Sequence, residues 1–358
     1  AHGGFARGVE GLADGRLGWP IEKYFRHLDE QIAILRGHGI VPFVTPLFYG
    51  FGWRGLDVIG PTADPGEAAT FARFLAERYD DGPVVWLAGA DGTGHEPAVA
   101  AMGRAIRDTT SAPVGIHYNP WQRPTAHADE PWCDFHLIQT GHAGEHRAEL
   151  LSAYGDRALA NGEPTYEGMD GGKAGRGDWQ RHEAWSNFCA GGTLSCFYGA
   201  ASLWQWKRDG EDDLWGPWCA APEDWRGAMA FPGAAFPGVV ARIVDGLGAA
   251  EWTPSIDRAR GRRCAVAADG TTLAYAESPG VVHLAPETEG GAVTVYDSAT
   301  GAVLQETTVV APDPHMGFAV AVDRPAVVTV TPPARRGCGR GVRQRFPPRT
   351  GRSGPSRS

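Results

Sequence analysis

Apolar positions fall into two rhythms along this chain. Residues 22–37 carry Phe25, Leu28, Ile32 and Leu35 at helical spacing, and Gly37 closes the stripe. Ile40-Val41-Pro42-Phe43-Val44-Thr45-Pro46-Leu47 is a continuous apolar run, typical of a strand covered on both faces. The alternation then repeats: helix at 67–79, strand at 84–88, helix at 98–108, strands at 114–118 and 135–139, helix at 145–154. A short strand at 158–162, a helix at 179–189 and a strand at 194–198 follow. Residues 225–247 read as helix with a Pro break. From Ser255 the texture changes to short β-branched runs separated by turn pairs such as Asp269-Gly270 and Thr300-Gly301.

Strands alternating with helices predict an α/β fold with parallel strands. Polar and aromatic residues gather at the C-terminal ends of the strands: Phe48, Tyr49, Asp91, His117, Asn119, Gln139, His142, Glu163 and Tyr198. That distribution is expected of a (β/α)8 TIM-type barrel with its site on the top face. A doubly wound sheet would place a Gly-rich phosphate loop after its first strand, and none is present. Six strands do not close such a barrel. With a loop-like opening at 1–20 and no initiator Met, the expectation is that two strands precede Ala1. The organisation expected is a barrel domain at 1–250, a small antiparallel β-sandwich at 255–331 and a disordered Arg-rich tail at 334–358.

Composition narrows the function. With 42% hydrophobic residues the chain can bury a sizeable core. No run of 18 uncharged apolar residues occurs, so no membrane partner is expected. The start has neither a basic nor an apolar signal region, and both cytoplasmic and secreted locations stay open. Net charge is −9, although the tail holds eight Arg and no acid, so the body is more acidic than the average shows. An acidic body argues against a nucleic-acid partner. The six Cys are scattered without a CxxC, which fits neither a metal finger nor a disulfide scaffold.

Two carboxylates end buried strands. Asp91 follows Val84 to Ala90, and Glu163 follows Leu159-Ala160-Asn161-Gly162. Small neighbours (Gly89, Ala90, Gly92, Gly162) leave room for a ligand. Glycoside hydrolysis needs such a pair. On spacing alone, Asp91 capping the next loop and Glu163 in a structural ion pair stand beside that reading. His142 and His146 could share a helix face as metal ligands, but no third ligand lies near in sequence, so no metal is expected. Gly168 to Lys173 falls short of a phosphate loop, and no GxSxG is present, so no cofactor is expected. Tyr166 and Glu167, and Trp204-Gln205-Trp206, are candidates to line a sugar site.

With those residues in view, the chain resembles the apiosidase-like family of glycoside hydrolases, clan A barrels followed by a β-sandwich often labelled collagen-binding. The resemblance is carried by Tyr24-Phe25-Arg26-His27-Leu28-Asp29, by Phe74 to Tyr79 with Val84 to Asp91, and by Ile138-Gln139-Thr140-Gly141-His142. It continues through Asn161-Gly162-Glu163-Pro164 with Tyr166-Glu167, and through Phe197-Tyr198-Gly199 with Leu203-Trp204-Gln205. It implies a retaining mechanism with Glu163 as nucleophile and Asp91 as acid/base, acting on polysaccharide side chains. Phe48, Tyr49, His117, Asn119, Gln139, His142, Tyr166, Glu167, Tyr198 and Trp204 are the expected substrate-binding residues. The chain departs from the family pattern at Ala90, and at Ala200-Ala201 where polar residues are expected. Two other functions remain in view: a catalytically silent carbohydrate-binding barrel, and a polypeptide-binding protein acting through the sandwich.

Overall fold

The structure is a computed structural model. It describes residues 20–50, 62–120, 129–139, 157–170, 177–210 and 223–333 apart from 261, 287 and 311, with positions 12, 17, 127, 150, 151, 153 and 155. The expected tail at 334–358 and most of the expected helix at 145–154 lie outside the described residues.

The N-terminal part is an α/β TIM-type barrel. Its elements are α1 (Glu22–Gly37), β1 (Phe43–Val44), α2 (Pro65–Tyr79), β2 (Val85–Leu87), α3 (Pro97–Thr109), β3 (Val114–Pro120), β4 (Phe135–Gln139), β5 (Ala158–Glu163) and α4 (Asp178–Cys189). The five strands pair in chain order, all parallel. Local chemistry starts the helices where they start. The Asp64 side chain accepts from the amides of Gly66 and Glu67, and Pro65 occupies the first turn of α2.

Side-chain alternation splits the sheet into two faces. Trp86, Ala88, Val114, Ile116 and Tyr118 join α1–α3 in one buried cluster. Leu87, Phe135, Leu137 and Ala160, with Val85 and Phe197, fill the barrel interior. Phe43 reaches across that interior to Phe197, with ring centroids 5.7 Å apart.

Two expected strands differ. The 40–47 run pairs as a named strand only at Phe43–Val44, because Pro42 and Pro46 have no N–H to give. The ladder resumes beyond them: the Ala90 amide donates to the Leu47 carbonyl, and the Tyr49 amide to the Ala90 carbonyl. The expected strand at 194–198 does not form. The Leu194 amide reaches the Leu159 carbonyl, and the next contact is an isolated bridge between Glu167 and Ala200. Pro164 lies between those points and cannot donate to a neighbouring strand.

The chain continues through α5 (Ala201–Trp204), α6 (Trp225–Ala228), a 3₁₀ turn (Pro232–Ala235) and α7 (Phe236–Leu247). The stretch Trp225–Leu247 is long and apolar enough on composition to cross a membrane. Here it is broken at the Pro232 turn, and α7 lays Phe236, Val239, Val240 and Ile243 against the C-terminal strands.

Those strands are β6 (Thr253–Pro254), β7 (Arg263–Val266), β8 (Thr272–Ala276), β9 (Gly280–Leu284), β10 (Gly291–Asp297), β11 (Val303–Val309), β12 (Phe318–Val322) and β13 (Ala326–Thr331). Six form an antiparallel sheet in the order β11-β10-β13-β8-β7-β6, and β12 pairs with β9. One face of the sheet packs on that ribbon through Ala274, Val282, Leu284, Val295 and Val328. The other packs on α4 and α7 through Leu273, Tyr275 and Val327 against Trp185, Phe188 and Val239. The Trp185 indole also donates to the Ser298 carbonyl at 2.9 Å.

Helices α4 and α7 therefore share an apolar core with the C-terminal sheet. Trp185→Ala should destabilise the chain by about 3–5 kcal/mol in urea denaturation, because the indole is fully buried. Unfolding of the wild-type protein should be a single transition by tryptophan fluorescence and by circular dichroism. Two separated transitions would contradict the shared core.

Candidate active site

Two β-bulges shape the C-terminal ends of the strands. On β5, Ile138 faces Asn161 but Gln139 faces Glu163, so Gly162 is one residue extra. A bulge re-aims the side chains beyond it. In a regular strand with no bulge, alternation would send Ala160 and Glu163 to opposite faces. A side chain at 162 would collide with Leu137, so glycine is needed there. A second bulge on β3 falls between His117 and Pro120.

Asp91 lies just beyond the end of β2, where its amide donates to the carbonyl of His117 on the neighbouring strand β3 at 3.0 Å. Its φ is +58°, a left-handed conformation that costs a non-glycine residue about 1–3 kcal/mol. Its Oδ2 occupies the space where a Cβ on residue 50 would stand, so Gly50 makes room for it. Its Oδ1 is buried without a hydrogen-bond partner. Capping of the next loop falls to Glu96 instead, which accepts from the Thr93 amide and hydroxyl. Burial pushes the Asp91 carboxyl up to about 6.

Glu163 ends β5, three strands from β2 in the sheet order. In an eight-stranded barrel that is about 135° around the rim, so side chains pointing inward face one another across the mouth. The Tyr166 hydroxyl donates to Glu163 Oε1 at 2.8 Å. His117 Nε2 lies 3.6 Å from Glu163 Oε2. Burial lowers the His117 imidazole to about 4, so the ring is neutral and this contact is no ion pair at neutral pH. Burial, then the negative charge of Asp91, pushes Glu163 up to about 7, while the Tyr166 hydroxyl pulls it down. The two carboxyls thus sense one another electrostatically.

Of the other expected substrate-binding residues, Asn119 and Gln139 sit at strand ends on this rim, whereas the Tyr49 ring packs into the helix-facing cluster beside Gly89 and Val99. The Tyr49 hydroxyl, Asn119 Oδ1 and Gln139 Oε1 are each buried without a hydrogen-bond partner. Buried polar atoms left unmatched are costly unless something else satisfies them. Phe48 is largely exposed, and Trp204 stacks on Tyr166 with ring centroids 5.9 Å apart. His142 lies outside the described residues.

Glu167 and Tyr198 are placed differently. Glu167 is 0% exposed, and its carboxylate accepts from the Gly177 and Gly233 amides and from the Tyr198 hydroxyl. These two residues brace the scaffold beneath the rim. One supporting residue has no motif to betray it. Glu183 on α4 is buried, its carboxyl raised to about 7 by burial, and it accepts from the Thr165 amide and hydroxyl. It anchors the turn that carries Tyr166. The only signal in sequence is a carboxylate beside Ala184 and Trp185 on a buried helix face.

A cleft of about 860 Å³ lies elsewhere. It is lined by Arg157, Trp252 and Arg258 near the N-terminal end of β5 and includes neither carboxyl. Among the described residues no group of three or more His, Cys, Asp or Glu could hold a metal ion.

A carboxyl whose pKa is higher folded than unfolded costs stability once it ionises. For Glu163 that loss begins above its ordinary value of 4.5 and is complete above about 7. Glu163→Gln cannot ionise. It should stabilise the fold at pH 8 by about 1–3 kcal/mol, with the gain shrinking toward pH 4. Thermal melts across that range test this, and an equal gain at both ends would contradict it.

The family model for the apiosidase-like catalytic domain matches residues 5–251. Among solved structures, a glycoside hydrolase family 5 protein from Bacteroides vulgatus is similar at a TM-score of 0.74 and 18% identity. The match covers 93% of this chain and 80% of that one. A second structure, described as a glycoside hydrolase, is similar at a TM-score of 0.68 and 17% identity, over 92% of this chain and 80% of that one. No curated protein matches the sequence.

Proposed function

This chain belongs to the apiosidase-like glycoside hydrolases, and we propose that it works by retention, with Glu163 as nucleophile and Asp91 as acid/base, to release side chains from polysaccharides. The observation that carries the reading is the pair itself: two half-buried carboxyls at strand ends, both raised, one raised by the other. In the first step a Glu163 carboxylate oxygen attacks the anomeric carbon. The glycosidic C–O bond breaks, and Asp91 gives its proton to the leaving oxygen. Water then attacks the anomeric carbon of this glycosyl ester, Asp91 accepts its proton, and the bond from that carbon to Glu163 breaks to restore the carboxylate. The Tyr166 hydroxyl on Oε1 supports the ionised state of Glu163.

The proton inventory has a consequence. Turnover needs Asp91 protonated and Glu163 ionised, and both carboxyls are raised toward neutrality. A narrow bell-shaped pH profile of kcat/KM results, with limbs near 6 and 7. A silent binding barrel would need neither the strained Asp91 nor the mutual shift.

Asp91→Ala removes the acid whose deprotonation ends activity at high pH, so the alkaline limb should vanish while an acid limb set by Glu163 remains. The variant should lose about 10²-fold or more on substrates with poor leaving groups, and far less on activated aryl glycosides. Equal losses on both substrates would remove Asp91 from the acid role.

A further inference from the structure

A second aromatic feature lies close in the chain to this site. Trp206 follows Trp204 by two residues, at most about 7 Å of backbone. Trp204 stacks on Tyr166, which donates to Glu163. Trp206 itself is 61% exposed and has a φ of +53°, rare for a bulky side chain. The fold holds it there. The Trp206 amide donates to the Leu203 carbonyl, and the Lys207 carbonyl accepts from the Trp225 amide.

One face of the Trp206 indole lies flat on Trp225, with centroids 4.9 Å apart and planes 8° apart. The Arg226 guanidinium sits 4.3 Å from the centroid of the Trp225 ring. This rigid stack differs from the packing of Trp185, which is fully buried. A large ring kept in water on a strained backbone gains nothing for the core. It does offer a flat apolar face, and sugar rings present flat patches of C–H bonds.

We infer that Trp206, backed by Trp225, is a platform for a sugar ring beyond the bond that is cleaved, so that the substrate is an oligosaccharide or polysaccharide rather than a small glycoside. This rests on the glycosidase reading and specifies its substrate class.

The test compares wild type, Trp206→Ala and Trp206→Tyr. The substrates are 4-nitrophenyl monoglycosides and xylo-, cello- and galacturono-oligosaccharides. Circular dichroism confirms folding. Trp206→Ala should lose about 10-fold more kcat/KM on the oligosaccharide that wild type cleaves than on the aryl glycoside, and Trp206→Tyr should recover most of it. Equal losses on both classes, or no loss on either, would overturn the platform. If wild type hydrolyses neither class, the glycosidase reading fails, and fluorescence titration with the same oligosaccharides decides the platform. Binding by wild type that is lost in Trp206→Ala upholds it. No binding by wild type overturns it.

Discussion

Two carboxyl groups held out of water at the mouth of the barrel are the constraint on which the rest of the site depends. Neither can ionise cheaply, and ionising one makes the other harder to ionise. The surroundings keep that tension in place. The His117 imidazole, neutral through burial, brings no charge to settle it. The Tyr166 hydroxyl offers a single hydrogen bond, enough to orient Glu163 without neutralising it.

Backbone geometry does the positioning. The extra residue at Gly162 turns Glu163 toward the barrel axis, and the left-handed conformation of Asp91 places its carboxyl over Gly50. Behind them stands a layer of buried polar braces. Glu183 holds the turn at Thr165, and Glu167 ties Gly177, Tyr198 and Gly233 together. Further out, α4 and α7 are clamped by the C-terminal sheet through Trp185 and Tyr275. The site thus rests on a core built from both halves of the chain.

The sequence is legible where burial is one-sided or complete. α1 follows its apolar stripe, and β8 and β13 read as unbroken apolar runs because both their faces are covered. β11 escapes because it is an edge strand with nearly every side chain exposed, so no alternation marks it. The strand expected at 194–198 has the right residues but lies beside a proline and a bulge. For the site, Asp91 and Glu163 stand out as carboxylates closing apolar strands. Glu167, adjacent to the same motif, looks equally exposed to substrate in sequence. Only the folded chain shows its oxygens occupied by three protein donors. The left-handed turn at Asp91 leaves no trace in composition or spacing.

The central claim is that Glu163 forms the covalent bond and Asp91 moves the proton. It is tested most directly by incubating the protein with a panel of 2-deoxy-2-fluoro glycosyl fluorides, which form the glycosyl ester quickly and hydrolyse it slowly, and mapping the adduct by peptide mass spectrometry. The account predicts a single glycosyl group on Glu163. An adduct on Asp91, or turnover with inverted configuration and no adduct, would contradict it.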